Sequence, residues 1–162
     1  MKEILDKISS YNLFNYLLPG VLFAVFASGF TNFKIIQSDI ISSVFLYYFI
    51  GLVISRFGSL IIEPLLKKIG FVKFADYKDF VNSCKTDIKV ETLSEANNMY
   101  RTFISLFFLL GLFKLCLLIE EKFSFLKDYN LILLTVLLLL LFLFSYRKQT
   151  NYIIKRINSN KQ

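Results

Sequence analysis

The sequence predicts an all-α polytopic membrane protein, with four transmembrane helices and a short helical cytoplasmic loop between spans two and three. Three observations carry this. The 162 residues are 56% hydrophobic with a mean hydropathy of +0.58, more apolar than a soluble domain of this length. Four long runs hold no charge or a single one. Lys and Arg are concentrated in only some of the segments that join those runs.

The first span covers about 13–33 and the second 40–62, the latter admitting only Arg56. The third covers 102–119 with Lys114 inside it, and the fourth covers 129–146. Each approaches the ~20 residues needed to cross a ~30 Å hydrocarbon core. Fourteen Lys and Arg residues lie in the N-terminal segment, the 63–101 loop and the tail 147–162, against three in the two other loops. The positive-inside rule then places both termini and the central loop in the cytoplasm of a bacterial inner (plasma) membrane. The early KEILDK is electrically neutral, unlike the basic start of a cleaved leader, so the first helix is expected to stay. The chain reads as one membrane domain over 1–162.

Composition excludes several functions. There is no histidine, which removes Ser-His-Asp and Cys-His catalysis and His-ligated zinc. Cys84 and Cys116 form no metal or disulfide spacing. Asp76 with Asp79, and Asp87 with Glu91 and Glu95, could share helix faces, but no ligand set completes around them. No metal, cofactor or enzymatic activity is expected. The net charge of +7 reflects membrane orientation. The loop mixes both signs, so direct nucleic-acid binding is not expected.

Within the 63–101 loop, Phe74, Tyr77, Phe80 or Val81, and Cys84 recur at helical spacing and predict a short amphipathic helix. Its aromatic face, Phe74, Tyr77 and Phe80, is a candidate interface for the bundle itself, the lipid surface or a cytosolic protein. Gly70 is placed to end the second helix. Thr92 and Glu95 fit a capping box, so the third helix is expected to begin near Leu93. The tail reads as a basic interfacial anchor.

Polar residues inside apolar spans are the default functional candidates. Asn12, Asn15, Arg56, Ser59, Glu63 and Arg101 fall at one cytoplasmic level and form a predicted intramembrane polar layer. At 100° per residue Arg56 and Glu63 share a helix face. This layer reads either as a lock in which amides and carboxylate satisfy Arg56, or as a ring lining an oligomer's mouth. Gly51, Ser55 and Ser59 recur every four residues, a small-residue stripe for close helix packing. Pro19 is expected to bend the first helix near the two asparagines. Lys114 is expected to snorkel toward Glu120 and Glu121. The fourth span, LILLTVLLLLLFLF, lacks small residues and is expected at the periphery.

The segments ISSYNLFNYLLPG, ISRFGSLIIEPLLKKIGFVKFADYKDFV and LSEANNMYRT resemble an uncharacterised family of small four-span bacterial inner-membrane proteins. The architecture is also similar to the membrane effectors of prokaryotic antiviral systems. That likeness implies a non-enzymatic homo-oligomer acting as a membrane-perturbing or channel-like effector in antiviral defence. The alternative expectation is an anchor or sensor subunit that recruits a cytosolic partner through the 63–101 loop.

Overall fold

The structure is a computed structural model, and it describes residues 12–31, 35, 36 and 39–160. Residues 32–33, at the end of the predicted first span, lie outside the described residues. Among those described, every regular element is helical: α1 (Leu13–Phe30), α2 (Ile40–Lys68), α3 (Tyr77–Thr86), α4 (Ile88–Lys122) and α5 (Asn130–Asn160), with a 3₁₀ turn at Ser124–Tyr129 before α5. Four of these helices are long and apolar enough to cross a membrane. The 35 residues of α4 and 31 of α5 correspond to about 52 and about 46 Å of helix, well beyond a ~30 Å core.

The helix ends have local causes. Asp39 caps α2, its carboxylate accepting from the Ser42 amide at 2.7 Å. Hydrogen bonding from Ser42, by its side chain first and its backbone second, holds this carboxyl below the usual carboxylate range. A lowered value means the cap strengthens the fold at pH above the ordinary aspartate range and is lost as pH falls through the lowered value. At the other end of α2, Gly70 adopts φ +76°. Its amide bonds Lys67 O at 3.1 Å and the Phe71 amide bonds Leu66 O at 3.0 Å, the paired closure of a Schellman motif.

The start of α4 differs from expectation. Asp87, not Thr92, is the cap, accepting from the Lys89 amide at 2.9 Å, and α4 begins at Ile88. Asp87 also closes α3 through its own amide to Ser83 O at 2.8 Å, so one residue turns the corner between two helices. Thr92 is therefore already inside a helix, where a capping box has nothing to cap. Phe74 likewise precedes α3, while Tyr77, Phe80, Val81 and Cys84 lie on it.

The buried core is drawn from three helices. Ala27 of α1, Ile54 of α2, and Leu106 and Leu110 of α4 form it, with Phe23, Phe30, Ile50, Phe103 and Phe113 packed around. Leu131, Leu133, Leu137, Leu139 and Leu143 of α5 are all exposed, which places that helix at the edge of the bundle. The closest crossing joins α1 to α2. A Cβ on Gly20 would overlap the Tyr47 carbonyl, and one on Gly51 would overlap the Tyr16 carbonyl. The two backbones therefore touch at two points, and Tyr16 and Tyr48 close the gap edge to face, with ring centroids 5.4 Å apart. Helices without a solvent-driven hydrophobic force associate by this kind of close packing.

Gly51→Ala should destabilise the bundle by about 1–3 kcal/mol, the ordinary cost of overpacking. Gly111→Ala, which meets open space, should be neutral or stabilising by roughly 0.5–1 kcal/mol. Thermal unfolding of both variants in detergent checks the contrast.

Candidate functional site

Two of the long helices contain a π-turn, and each precedes a proline in the same register. In α1 the turn is Leu13–Leu17, with Pro19 following. In α2 it is Gly58–Ile62, with Pro64 following. The Leu18 amide bonds Leu13 O and the Glu63 amide bonds Gly58 O, both five residues back. A proline in a helix clashes with the carbonyl four residues before it and lacks the N–H that would bond it. Widening one turn relieves the clash. It also leaves carbonyls without a helical donor, and in α2 one of these is Ser59 O.

Lys148, well along α5, fills that vacancy. Its Nζ donates to Ser59 O at 2.5 Å and to Ser59 Oγ at 2.8 Å. The same ammonium lies 3.6 Å from Glu63 Oε1. Lys67 reaches Glu63 Oε1 at 3.1 Å from one turn on, and Arg101 of α4 pairs with Glu63 Oε2. One carboxylate, its side chain 7% exposed, thus fastens cations from α2, α4 and α5. Around this knot, Lys67 covers the Phe74 ring at 3.9 Å and Lys148 covers Tyr152 at 5.7 Å. Tyr152 in turn meets Tyr77 of α3, with centroids 6.1 Å apart. The knot carries two positive charges in excess. The Arg101 Nε is buried, with no acceptor among the described residues.

Beneath it runs a hydroxyl layer. Thr102 Oγ1 bonds Asn98 O at 2.9 Å and approaches Ser55 Oγ at 3.4 Å, while Ser105 Oγ bonds Arg101 O at 2.7 Å. Gly58 faces Ser105 and the Arg101 stem, so α2 and α4 approach closely just where Arg101 leaves its helix. The stripe Gly51, Ser55, Ser59 therefore fans out over three neighbours. Gly51 serves α1, Ser55 serves α4, and Ser59 serves α5.

Of the predicted polar layer, the structure joins Ser59, Glu63 and Arg101. Asn15 is 2% exposed in the α1 π-turn, a turn that packs against α2 and α4, and Asn12 precedes it half-buried. Arg56 stands apart. It is half-buried, and among the described residues it makes no hydrogen bond or ion pair. The π-turn between Arg56 and Glu63 explains this. A wider turn withdraws roughly one residue's rotation, about 100°, so the two side chains leave the shared face that uniform α geometry assigns them.

The candidate loop interface divides as well. Tyr77 and Phe80 are half-buried and turned toward the bundle, whereas Phe74 is exposed. At the opposite end of the bundle Lys114 lies 5.8 Å over the Phe30 ring, and Glu120 accepts from Asn130 at 2.9 Å.

Three participants escape sequence reasoning: Lys148, Lys67 and Gly20. Lys148 lies past the uncharged run of the fourth span, in what reads as a tail. The signal that points to it is Pro64, whose missing N–H demands a donor for a carbonyl some five residues back.

Among the described residues no group of three Cys, Asp or Glu side chains gathers that could hold a metal ion. A scan against protein-family models, a search of curated proteins and a search of solved structures each find no match to this chain. Fold and site together define an all-helical chain with four helices able to span a membrane. Its buried charges gather at the end where α2 and α4 are linked through α3.

Removing the shared carboxylate should cost most. Glu63→Gln strands buried cations and should destabilise by about 3–5 kcal/mol, the range for breaking a buried pair. Lys67→Ala removes a pair whose lysine is 41% exposed and should cost only about 0.3–0.5 kcal/mol. Thermal melts in detergent at fixed salt rank the two.

Proposed function

We propose that this chain is a non-enzymatic, multi-pass protein of a bacterial inner membrane, with both termini and residues 63–101 in the cytoplasm. It assembles into a homo-oligomer and perturbs or conducts through the bilayer when triggered, as the membrane effectors of antiviral systems do. The observation that supports this best is the contrast between two charges of α2. Glu63 is saturated within the chain by Lys67, Arg101 and Lys148. Arg56, one π-turn away on the same helix, makes no pair among the described residues.

A guanidinium at that depth calls for a partner beyond the described residues, and an intramembrane cation not spent on pairing among them is a functional candidate. In this reading the Glu63 knot is a latch holding α5 against α2 and α4, and Arg56 lines the path that opens. The π-turn beside the latch supplies the place where α2 can change its twist, since such turns concentrate at functional positions in helices.

A second reading keeps the chain as an anchor that recruits a cytosolic protein. It draws on Ile69, Phe71 and Phe74, which are 65, 73 and 51% exposed at the foot of α2. Tyr77 and Phe80, packed inward, contribute less to that surface. A stoichiometric partner in a pull-down, lost in Phe71→Ser and Phe74→Ser, would favour it.

The conduction reading is tested in liposomes. Glu63→Gln, which weakens the latch, should release an entrapped ionic dye without a trigger. Adding Arg56→Leu should return leakage to the protein-free background while the oligomer's elution volume is unchanged. Absence of leakage from both the wild type and Glu63→Gln, with both correctly inserted, sinks the reading.

A further inference from the structure

α2, α4 and α5 do not close against one another along their length. Between them lies a groove of about 1060 Å³, just above the range of about 300–1,000 Å³ typical of ligand pockets. Its walls are apolar throughout, from Phe49 and Val53 on α2 and Leu112 on α4 to Leu141 and Phe144 on α5. Polar chemistry enters at one end only, where Arg147, Lys148 and Asn151 form the rim. Lys148 is committed to Ser59 and Glu63. Arg147 and Asn151 make no hydrogen bond or ion pair among the described residues, and the adjacent knot leaves two positive charges in excess.

We propose that this groove is a binding site for one anionic glycerophospholipid, with its acyl chains along the walls and its phosphate held by Arg147 and Asn151. The inference rests on the membrane reading above but not on conduction. A long apolar cleft with a cationic fork at one rim matches a ligand with a long apolar body and an anionic head. Arg suits the phosphate because its planar donors can engage two oxygens at once. The rim lies at the end of the bundle assigned to the cytoplasm, whose leaflet carries anionic lipid.

A second copy of this chain is the other candidate occupant, and charge argues against it. Residues 147–160 contain Arg147, Lys148, Lys155 and Arg156 with no acidic residue, so the same segment of a second copy brings no anion to the cationic rim. An anionic lipid fits the apolar walls and supplies one. A lipid seated there would bridge α5 to α2 and α4 along the stretch where few side chains join them, acting in parallel with the Glu63 knot.

The chain has no tryptophan, so Phe144→Trp places a single reporter in the groove wall. In phosphatidylcholine bilayers, a small fraction of brominated phosphatidylglycerol should quench it more strongly than the same fraction of brominated phosphatidylcholine. Arg147→Ala should remove that preference, Arg147→Lys should restore part of it, and Lys155→Ala, away from the rim, should leave it intact. Equal quenching by the two lipids means the groove holds bulk lipid and overturns the proposal. Absence of quenching by either means that protein fills the groove, and overturns it equally. Leakage plays no part in the readout, so this result stands whether or not the chain conducts.

Discussion

The arrangement depends on one carboxylate. Among the described residues Glu63 is the one acidic side chain in the bundle's polar layer, and cations from three helices converge on it. Burying a lone carboxylate in an apolar bundle is prohibitive, and so is burying Arg101 and Lys148 without it. Together they are tolerable, and their geometry dictates where α4 and α5 rest against α2. The oily contacts of α5 could be made at many rotations about its axis, because its apolar residues are spread around it. The Lys148 contact selects one. The polar knot thus supplies what dispersion between leucines cannot, namely register.

That knot exists because of a backbone irregularity with a sequence cause. Pro64 cannot donate, and its ring would strike the carbonyl of an ordinary helical turn. The helix widens at Gly58–Ile62, the Ser59 carbonyl loses its donor, and Lys148 replaces it. The same proline spacing produces the same turn in α1 at Leu13–Leu17, beside the buried Asn15. The first π-turn packs at Gly51, with Tyr16 against it, and the second immediately precedes Glu63. Between the charged end and the Glu120–Asn130 contact at the other, the buried core is apolar.

Much of this is legible in the sequence, and what is not has definable reasons. The four long helices follow from uncharged runs and length, and Gly70 as a terminator follows from its conformational freedom. Glu63 and Arg101 emerge as polar residues at the edge of apolar spans. Arg56 does not join them, because constant 100° steps ignore a turn that withdraws one residue's rotation. The same turn holds Ser59, which meets α5, while Gly51 and Ser55 before it meet α1 and α4. Lys148 is invisible to a reading by spans, since α5 continues as one helix through residues that look like a stop-transfer tail. Thr92 misleads because a capping box records a helix start only where the chain is not already helical, and Asp87 has started it earlier.

The central claim is that Glu63 and Lys148 act as one unit that fastens α5 to α2. A double-mutant cycle on thermal stability in detergent, with Glu63→Gln, Lys148→Met and the pair, measures that directly. The account predicts a favourable coupling between them of about 1–3 kcal/mol, as for residues in one charge network. Effects that add to within about 0.5 kcal/mol would mean that the two side chains do not interact, and would contradict the account.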